Sequence, residues 1–172
     1  MVATSVAQPR IATGSMAGVR ALSALGIEAE VGVGHSLGEL SALCWAGAMD
    51  EGALLRVAGK RGKAMERHSD SGTMAGLRAG PEAARRLIGD LPVVIAGYNS
   101  PGQTVVAGPV AAIEQVGQNA TREGLTWTKL NVSHAFHSPL VAPAAQALGR
   151  PWRVSGSRRL PAAWCPRSPA PS

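Results

Sequence analysis

The stretch IEAEVGVGHSLGEL, Ile27–Leu40, decides the fold. Its first half, Ile27 to Val33, is rich in β-branched residues, which favours a buried strand. Helical character begins at Glu39 and continues to Met49, so GHSLG (34–38) lies where a strand would turn into a helix. A G-x-S-x-G motif at such a junction holds its serine on a tight, strained turn with the side chain exposed. The pattern predicts that Ser36 is a nucleophile; a chance turn is the alternative.

The flanking segments predict helices. Ser5 to Gly26 carries apolar residues at spacings that suit an amphipathic helix ended by its glycine: Val6, Ile11, Met16, Val19, Leu22 and Leu25. On the other side, Asp50 is expected to cap a helix from Glu51 to about Met65. Residues 1–71 are therefore interpreted as part of an α/β body that contains the nucleophile.

Residues 72–132 are predicted to form short strands that alternate with helices. The predicted elements are strand Thr73–Ala79, helix Pro81–Ile88, strand Val93–Tyr98, turn 99–102, strand Gln103–Ala107, helix Val110–Glu123 and strand Leu125–Val132. This βαββαβ order is the ferredoxin-like arrangement. The predicted fold class is α/β: an incomplete α/β-hydrolase-like body with an inserted ferredoxin-like subdomain.

After this subdomain, residues 133–148 are expected to return to the body. Residues 149–172 combine arginine, proline and serine without apolar periodicity, so we expect this tail to be disordered.

The charge distribution argues against a nucleic-acid partner. The net charge is +6, but residues 1–148 hold 12 basic and 11 acidic side chains, which leaves +1 for that part. The remaining five basic residues are tail arginines. A nucleic-acid-binding domain needs a positive folded surface, and this body has none.

Location and redox state follow from equally simple features. No apolar run approaches the ~20 residues of a membrane span, and the first ten residues lack a signal peptide's basic start and apolar stretch. A cytoplasmic protein without membrane association is expected.

Cys44 and Cys165 lie far apart, so a disulfide is not expected, and Cys44 in its apolar stretch is interpreted as a small buried hydrophobe.

A nucleophilic serine needs a base, and four histidines are available. His35 adjoins the nucleophile and should point elsewhere, and His68 lies in a polar, solvated loop. His134 and His137 lie where the chain would return to the body, a natural place to present a base. Their i, i+3 spacing also suits a metal, but no third ligand is apparent, so we predict no metal site.

Four motifs in order over about 105 residues carry a resemblance. They are GHSLGE (34–39), RGKAM (61–65), YNSPGQTVVAG (98–108) and VSHAFHSPL (132–140). The chain resembles the malonyl-CoA:acyl carrier protein transacylases and the acyltransferase domains of polyketide synthases, and AFHSPLVAPAA is similar to the iterative enediyne type.

The resemblance implies roles for individual residues. Ser36 would carry the acyl group as an ester, with His137 as its general base. Arg61 would hold the free carboxylate of a malonyl group, because a guanidinium fork matches carboxylate geometry.

Other residues would complete the site with supporting roles. The N–H of Leu37 would donate to the oxyanion. Phe136 would narrow the acyl pocket, as in malonyl-selective members of the family. Asn99 and Gln8 would line or order the site.

The implied function is transfer of a malonyl-type group from coenzyme A to the phosphopantetheine thiol of an acyl carrier protein, in polyketide or fatty-acid biosynthesis. No bound cofactor is expected, and the expected partners are malonyl-CoA, the carrier protein and other synthase domains. The alternatives are a serine thioesterase or esterase and an inactive remnant of an acyltransferase domain.

The chain departs from the family at both ends. The family's opening Gly-Gln-Gly strand-loop is absent, and the similarity stops near Leu148. We therefore expect a truncated fragment that is poorly active and prone to aggregate when it is expressed alone.

Overall fold

The computed structural model describes residues 3–68, 72–132 and 134–148, which divide into an N-terminal unit (4–63) and a C-terminal unit (64–148, together with residue 3). The predicted tail, 149–172, lies outside the described residues. Within the described ranges, every helix is too short or too polar to cross a bilayer.

Helix α1, Thr4–Ala24, buries a face that coincides only in part with the predicted apolar stripe. Its buried residues follow one another at four-residue intervals: Thr4, Gln8, Ala12 and Met16. Four of the six predicted apolar positions are exposed instead: Val6 (49%), Ile11 (57%), Leu22 (48%) and Leu25 (75%). Except for Met16, the side chains of the inner face are small or polar, and the first turn of α1 lies close to Gly62.

The predicted strand Ile27 to Val33 is wrong for the described structure. These residues form no strand, and Ile27, Val31 and Val33 are 56%, 76% and 93% exposed. A strand requires backbone partners, and the strands among the described residues all lie in the C-terminal unit. The segment does lie against Trp45, because a Cβ on Gly32 would meet the indole ring at 2.7 Å.

Helix α2 spans Leu37–Trp45, so it begins two residues before the predicted start and ends before Met49. Its end is followed by Gly47 at φ 78°, a conformation that glycine adopts without strain.

Helix α3, Glu51–His68, has the predicted cap, since Asp50 Oδ1 accepts a 2.6 Å hydrogen bond from the Ala53 N–H. Helices α1 to α3 share a core of Ala12, Met16, Cys44, Leu54 and Ala58. Cys44 is 8% exposed, as predicted for a small hydrophobe. Its burial raises the pKa of the thiol, and the nearby carboxylates of Glu51 and Asp50 raise it further.

The C-terminal unit has the predicted βαββαβ element order. Its elements are β1 Thr73–Leu77, α4 Pro81–Ile88, β2 Val94–Ser100, β3 Gln103–Gly108, α5 Val110–Arg122 and β4 Trp127–Lys129. The sheet order is β2-β3-β1-β4, and every pairing is antiparallel. The last strand is shorter than predicted, because only three of its residues pair with β1.

Both faces of this sheet are covered, because successive strand residues point to opposite sides. Ala75 and Leu77 face a core formed with α4 and α5, whereas Met74 and Ala107 pack against Ala135 on the other side. A 3₁₀ turn, Pro139–Val141, and helix α6, Ala142–Ala147, follow.

The β2–β3 hairpin corrects one boundary. Ser100 pairs with Gln103, so the connecting turn is Pro101-Gly102 alone, and Asn99 lies within the strand rather than in the turn.

Candidate active site

Ser36 lies at the N-terminal end of α2 with φ 54° and ψ −111°. A positive φ is uncommon for a residue with a side chain, and it is maintained only where surrounding structure enforces it. The local cause is the turn itself: the N–H groups of Gly38 and Glu39 donate to the carbonyls of His35 and Ser36 at 2.9 and 3.1 Å.

Gly34 makes that turn possible. A Cβ at this position would overlap the backbone of Gly38 and Glu39, so only glycine fits without a shift. Gly38, the other motif glycine, differs, since a Cβ there would meet nothing within 4 Å. Of the two motif glycines, Gly34 is thus the one whose backbone lies too close to its neighbours for a side chain.

Leu37 opens α2, and its backbone N–H takes part in none of the hydrogen bonds found among the described residues. The first N–H groups of a helix lack intrahelical acceptors and carry the positive end of the helix dipole. This N–H is therefore available to an oxygen that develops negative charge.

Arg61 lies on α3 and is half-buried. Its Nη1 donates a 2.8 Å hydrogen bond to Oε1 of Gln8, which is 5% exposed. None of the ion pairs found in the described ranges includes Arg61. The structure thus brings together two predicted site residues and gives the guanidinium a neutral partner.

Burial lowers the pKa of the Arg61 guanidinium from its ordinary value, because a charge is less stable away from water. The Glu39 carboxylate acts in the opposite direction and raises that pKa. Glu39 is exposed and forms no ion pair with Arg61 among the described contacts.

His137, in the C-terminal unit, also has a positive φ, 59°. The turn around it is fixed by Ser138, whose Oγ donates to the Ala135 carbonyl at 2.6 Å and accepts from the Leu140 N–H at 3.3 Å. The His137 side chain is exposed.

Phe136 and Asn99 also belong to the C-terminal unit. The Phe136 ring is partly buried against the Met74–Ala107–Ala135 cluster, and its centroid lies 5.7 Å from that of His134, with the planes tilted by 45°. The register of β2 shifts between Tyr98 and Ser100, so Asn99 is the extra residue of a bulge. Bulges often re-aim a side chain beside a site.

The predicted site residues are therefore divided between the units. Gln8, Ser36, Leu37 and Arg61 belong to the N-terminal unit, and Asn99, Phe136 and His137 to the C-terminal unit. The pairing of Ser36 with His137 stays a prediction. Within the described ranges, no group of three or more His, Cys, Asp or Glu side chains is placed to hold a metal.

The sequence reasoning missed Thr4 and Glu39 as neighbours of this site. Thr4 Oγ1 accepts a 3.0 Å hydrogen bond from Gln8 Nε2. The four-residue spacing of Thr4 and Gln8 places both residues on one face of a helix and could have indicated this contact. The prediction of the helix followed apolar residues only, and these two residues are polar.

Comparison with known proteins agrees with the motifs. A family model described as "Acyl transferase domain" matches residues 1–153. The polyketide synthase GfsA of Streptomyces halstedii is 34% identical over 149 residues, which cover 86% of this chain and 2% of the synthase.

Two solved structures are also similar. The acyltransferase domain of the iterative polyketide synthase in enediyne biosynthesis has a TM-score of 0.80 and 47% identity, covering 86% of this chain and 40% of that one. The malonyl CoA-acyl carrier protein transacylase from Clostridium perfringens has a TM-score of 0.77 and 37% identity, covering 85% and 48%.

The matched region is short beside these proteins: the chain spans 2% of the synthase and less than half of each solved structure. The family itself is nevertheless clear, because its model covers most of the chain, and the resemblance inferred from the four motifs is confirmed. This α/β chain belongs to the acyl transferase domain family.

Proposed function

We propose that this chain is part of an acyltransferase that moves a malonyl-type group from coenzyme A to the phosphopantetheine thiol of an acyl carrier protein through an acyl-serine intermediate. The reaction would serve polyketide or fatty-acid biosynthesis in the cytoplasm. The similar proteins are themselves named as polyketide synthases and as a malonyl CoA-acyl carrier protein transacylase, which supports this choice of substrates and partner.

The observation that carries the proposal is the environment of Arg61. A half-buried guanidinium has lost part of its hydration, and its described hydrogen-bond partner is the neutral amide of Gln8. A carboxylate would supply both the missing negative charge and a bidentate acceptor. A malonyl group ends in such a carboxylate, whereas an esterase for simple acyl groups has no use for this cation.

In the proposed first step, Ser36 Oγ attacks the thioester carbonyl of malonyl-CoA and loses its proton to His137. The oxyanion of the tetrahedral intermediate accepts from the Leu37 N–H. Collapse of this intermediate breaks the carbon–sulfur bond, His137 returns the proton to the leaving sulfur, and coenzyme A departs.

In the second step the carrier-protein thiol gives its proton to His137 and attacks the malonyl-serine ester. The ester bond breaks, and Ser36 regains its proton from His137. Because a thioester is exchanged for a thioester, no cofactor or oxidant is needed. Transfer rather than hydrolysis requires that water be kept from the acyl-enzyme.

The remaining assignments complete the proposal. The N-terminal unit would be part of an α/β-hydrolase-like body, the ferredoxin-like unit over 72–132 an insertion into it, and residues 133–148 the return that presents His137. Phe136 would restrict the acyl pocket to a malonyl group, and Asn99 would order the site from its bulge.

The test is mass spectrometry of the intact chain after incubation with malonyl-CoA or acetyl-CoA. We expect a malonyl adduct on Ser36 that is absent in Ser36→Ala. Arg61→Ala should lose the malonyl adduct yet accept an acetyl group, since only the former needs the guanidinium. Arg56→Ala, an exposed arginine of the same helix, is the matched control and should behave like the parent.

Two results would contradict the proposal. Rapid release of free malonate from malonyl-CoA would indicate a thioesterase. A Ser36→Ala variant that equals the parent in every assay would indicate an inactive remnant.

A further inference from the structure

Thr4 is a polar side chain in an unusual place: it is 7% exposed, at the first residue of α1. Its Oγ1 accepts the hydrogen bond from Gln8 Nε2, and Gln8 Oε1 accepts from Arg61 Nη1. Three side chains from two helices therefore form a continuous hydrogen-bonded series within the N-terminal unit.

The donor and acceptor atoms of the three side chains allow only one direction for the hydrogen bonds in this series. A guanidinium has only donors, so Gln8 must present its carbonyl oxygen to Arg61. Its NH₂ group then faces Thr4, which must accept, as a hydroxyl oxygen does. If the amide turned over, its NH₂ would face the guanidinium, donor against donor, and a hydrogen bond would be lost.

We propose that Thr4 is a positioning residue for the substrate carboxylate. By accepting from Gln8 it holds the amide in the orientation that fixes the Arg61 guanidinium, without adding a negative charge that would compete with the substrate. This inference rests on the proposed function, in which Arg61 binds the malonyl carboxylate.

The backbone supports this role, because α1 is held against α3 beside the series. A Cβ on Gly62 would lie 2.6 Å from the Thr4 carbonyl oxygen and 2.7 Å from Ser5 Cα. The first turn of α1 and the α3 turn that bears Arg61 are thus in close contact, and Thr4 has little freedom to move away.

The first test measures acyl selectivity. The chain is incubated with equimolar malonyl-CoA and acetyl-CoA, and the ratio of the two adducts on Ser36 is read by mass spectrometry. Thr4→Val keeps the shape of the side chain but removes the hydrogen-bond acceptor. We expect the malonyl preference to fall about 5- to 10-fold, which corresponds to the free energy of one hydrogen bond. Thr4→Ser keeps the hydroxyl and should retain the parent ratio.

Two further variants separate positioning from stability. Thr104→Val removes a buried hydroxyl that donates to the Ala79 carbonyl at 2.9 Å, and it should lower the melting temperature without changing the ratio. In a Gln8→Met background, Thr4→Val should have no further effect, because its action passes through the amide. An equal loss of selectivity in Thr104→Val, or an undiminished effect of Thr4→Val in that background, would overturn the proposal.

A second readout does not depend on activity. The rotation of the Arg61 guanidinium, followed by ¹⁵N NMR exchange, should be slow in the parent and Thr4→Ser and faster in Thr4→Val. Equal rotation in all three chains would refute the role of Thr4. A parent that forms no adduct at all would refute the proposed function instead. The NMR comparison would still test the role of Thr4, because it does not require an adduct.

Discussion

At the scale of single residues, unusual backbone torsions coincide with predicted chemistry. Ser36 and His137 are the non-glycine residues with positive φ within the described ranges. Such conformations cost on the order of 1–3 kcal/mol each, and they concentrate at functional sites. The strained turn at Ser36 was predicted from its motif, whereas the positive φ of His137 was not, so the latter gives separate support to the proposed role of His137.

The nucleophile turn gives a residue-scale prediction. Gly34→Ala should destabilise the chain by about 1–3 kcal/mol, because the new methyl group meets backbone that cannot move aside cheaply. Gly38→Ala should be neutral or stabilising by up to about 1 kcal/mol, because its Cβ has open space and alanine favours the helix. Urea unfolding followed by circular dichroism measures both.

The Gly34/Gly38 pair separates a steric cause from a general intolerance of the motif. If both alanine variants lose stability equally, the close approach at Gly34 is not the reason that a glycine is needed there.

Some of the site was readable from the sequence at this scale, and some was not. Ser36 could be placed because a glycine-flanked serine at the start of a helix is typical of a nucleophile turn. Arg61 was identified only through the family resemblance. The contact of Thr4 with Gln8 was missed because buried hydrogen bonds between polar side chains leave no apolar periodicity.

At the scale of helices and strands, α1 shows how an apolar pattern misleads. The predicted stripe included Ile11 and Leu22, but the buried face follows Gln8 and Ala12. The size of the side chains determined which face is buried. Small inner residues and Gly62 of α3 permit close packing that large side chains would prevent.

This packing gives an element-scale prediction with a matched control. Gly62→Ala should force α1 away from α3, lowering stability by about 1–3 kcal/mol and reducing the malonyl adduct on Ser36. Gly59→Ala, one turn earlier, meets only Pro9 Cγ at 3.9 Å, so it should retain the parent's adduct and keep or slightly raise its stability. Thermal unfolding and adduct mass spectrometry are the measurements.

Should Gly59→Ala and Gly62→Ala prove equally harmful, the flexibility of α3 would account for the glycines better than close packing does. Equally harmless substitutions would show that the contact between Gly62 and the first turn of α1 is not needed.

Strand boundaries also depend on the neighbouring elements with which a segment packs or pairs. The C-terminal strands were predictable because β1 and β3, which are covered on both faces, are short apolar runs bounded by turn residues. The extent of β4 and the prediction for Ile27 to Val33 failed because pairing is set by neighbours, and local sequence does not encode them.

At the scale of the whole molecule, the described surface retains much exposed apolar side chain in the N-terminal unit. Leu25, Ile27, Val31 and Val33 are each more than half exposed within nine residues of chain. Contiguous apolar surface promotes association, and extended segments without partners are prone to pair with other chains.

Aggregation of the isolated chain is therefore predicted to depend on this segment. Val33→Lys should increase the monomer fraction in size-exclusion chromatography with light scattering, because Val33 is 93% exposed and a charge there removes apolar surface. Val110→Lys, at a site 41% exposed at the start of α5, is the control and should change the monomer fraction little. Identical behaviour of the two variants would assign the association to another surface.

The neutral partner of Arg61 has a genetic consequence. Glutamine and glutamate codons differ by one base, and Gln8→Glu would attach a carboxylate to the chain directly beside the guanidinium. A tethered group of this kind acts at an effective concentration on the order of millimolar or higher, whatever the supply of substrate. A single nucleotide thus separates a receptive pocket from one that is permanently occupied by its own side chain.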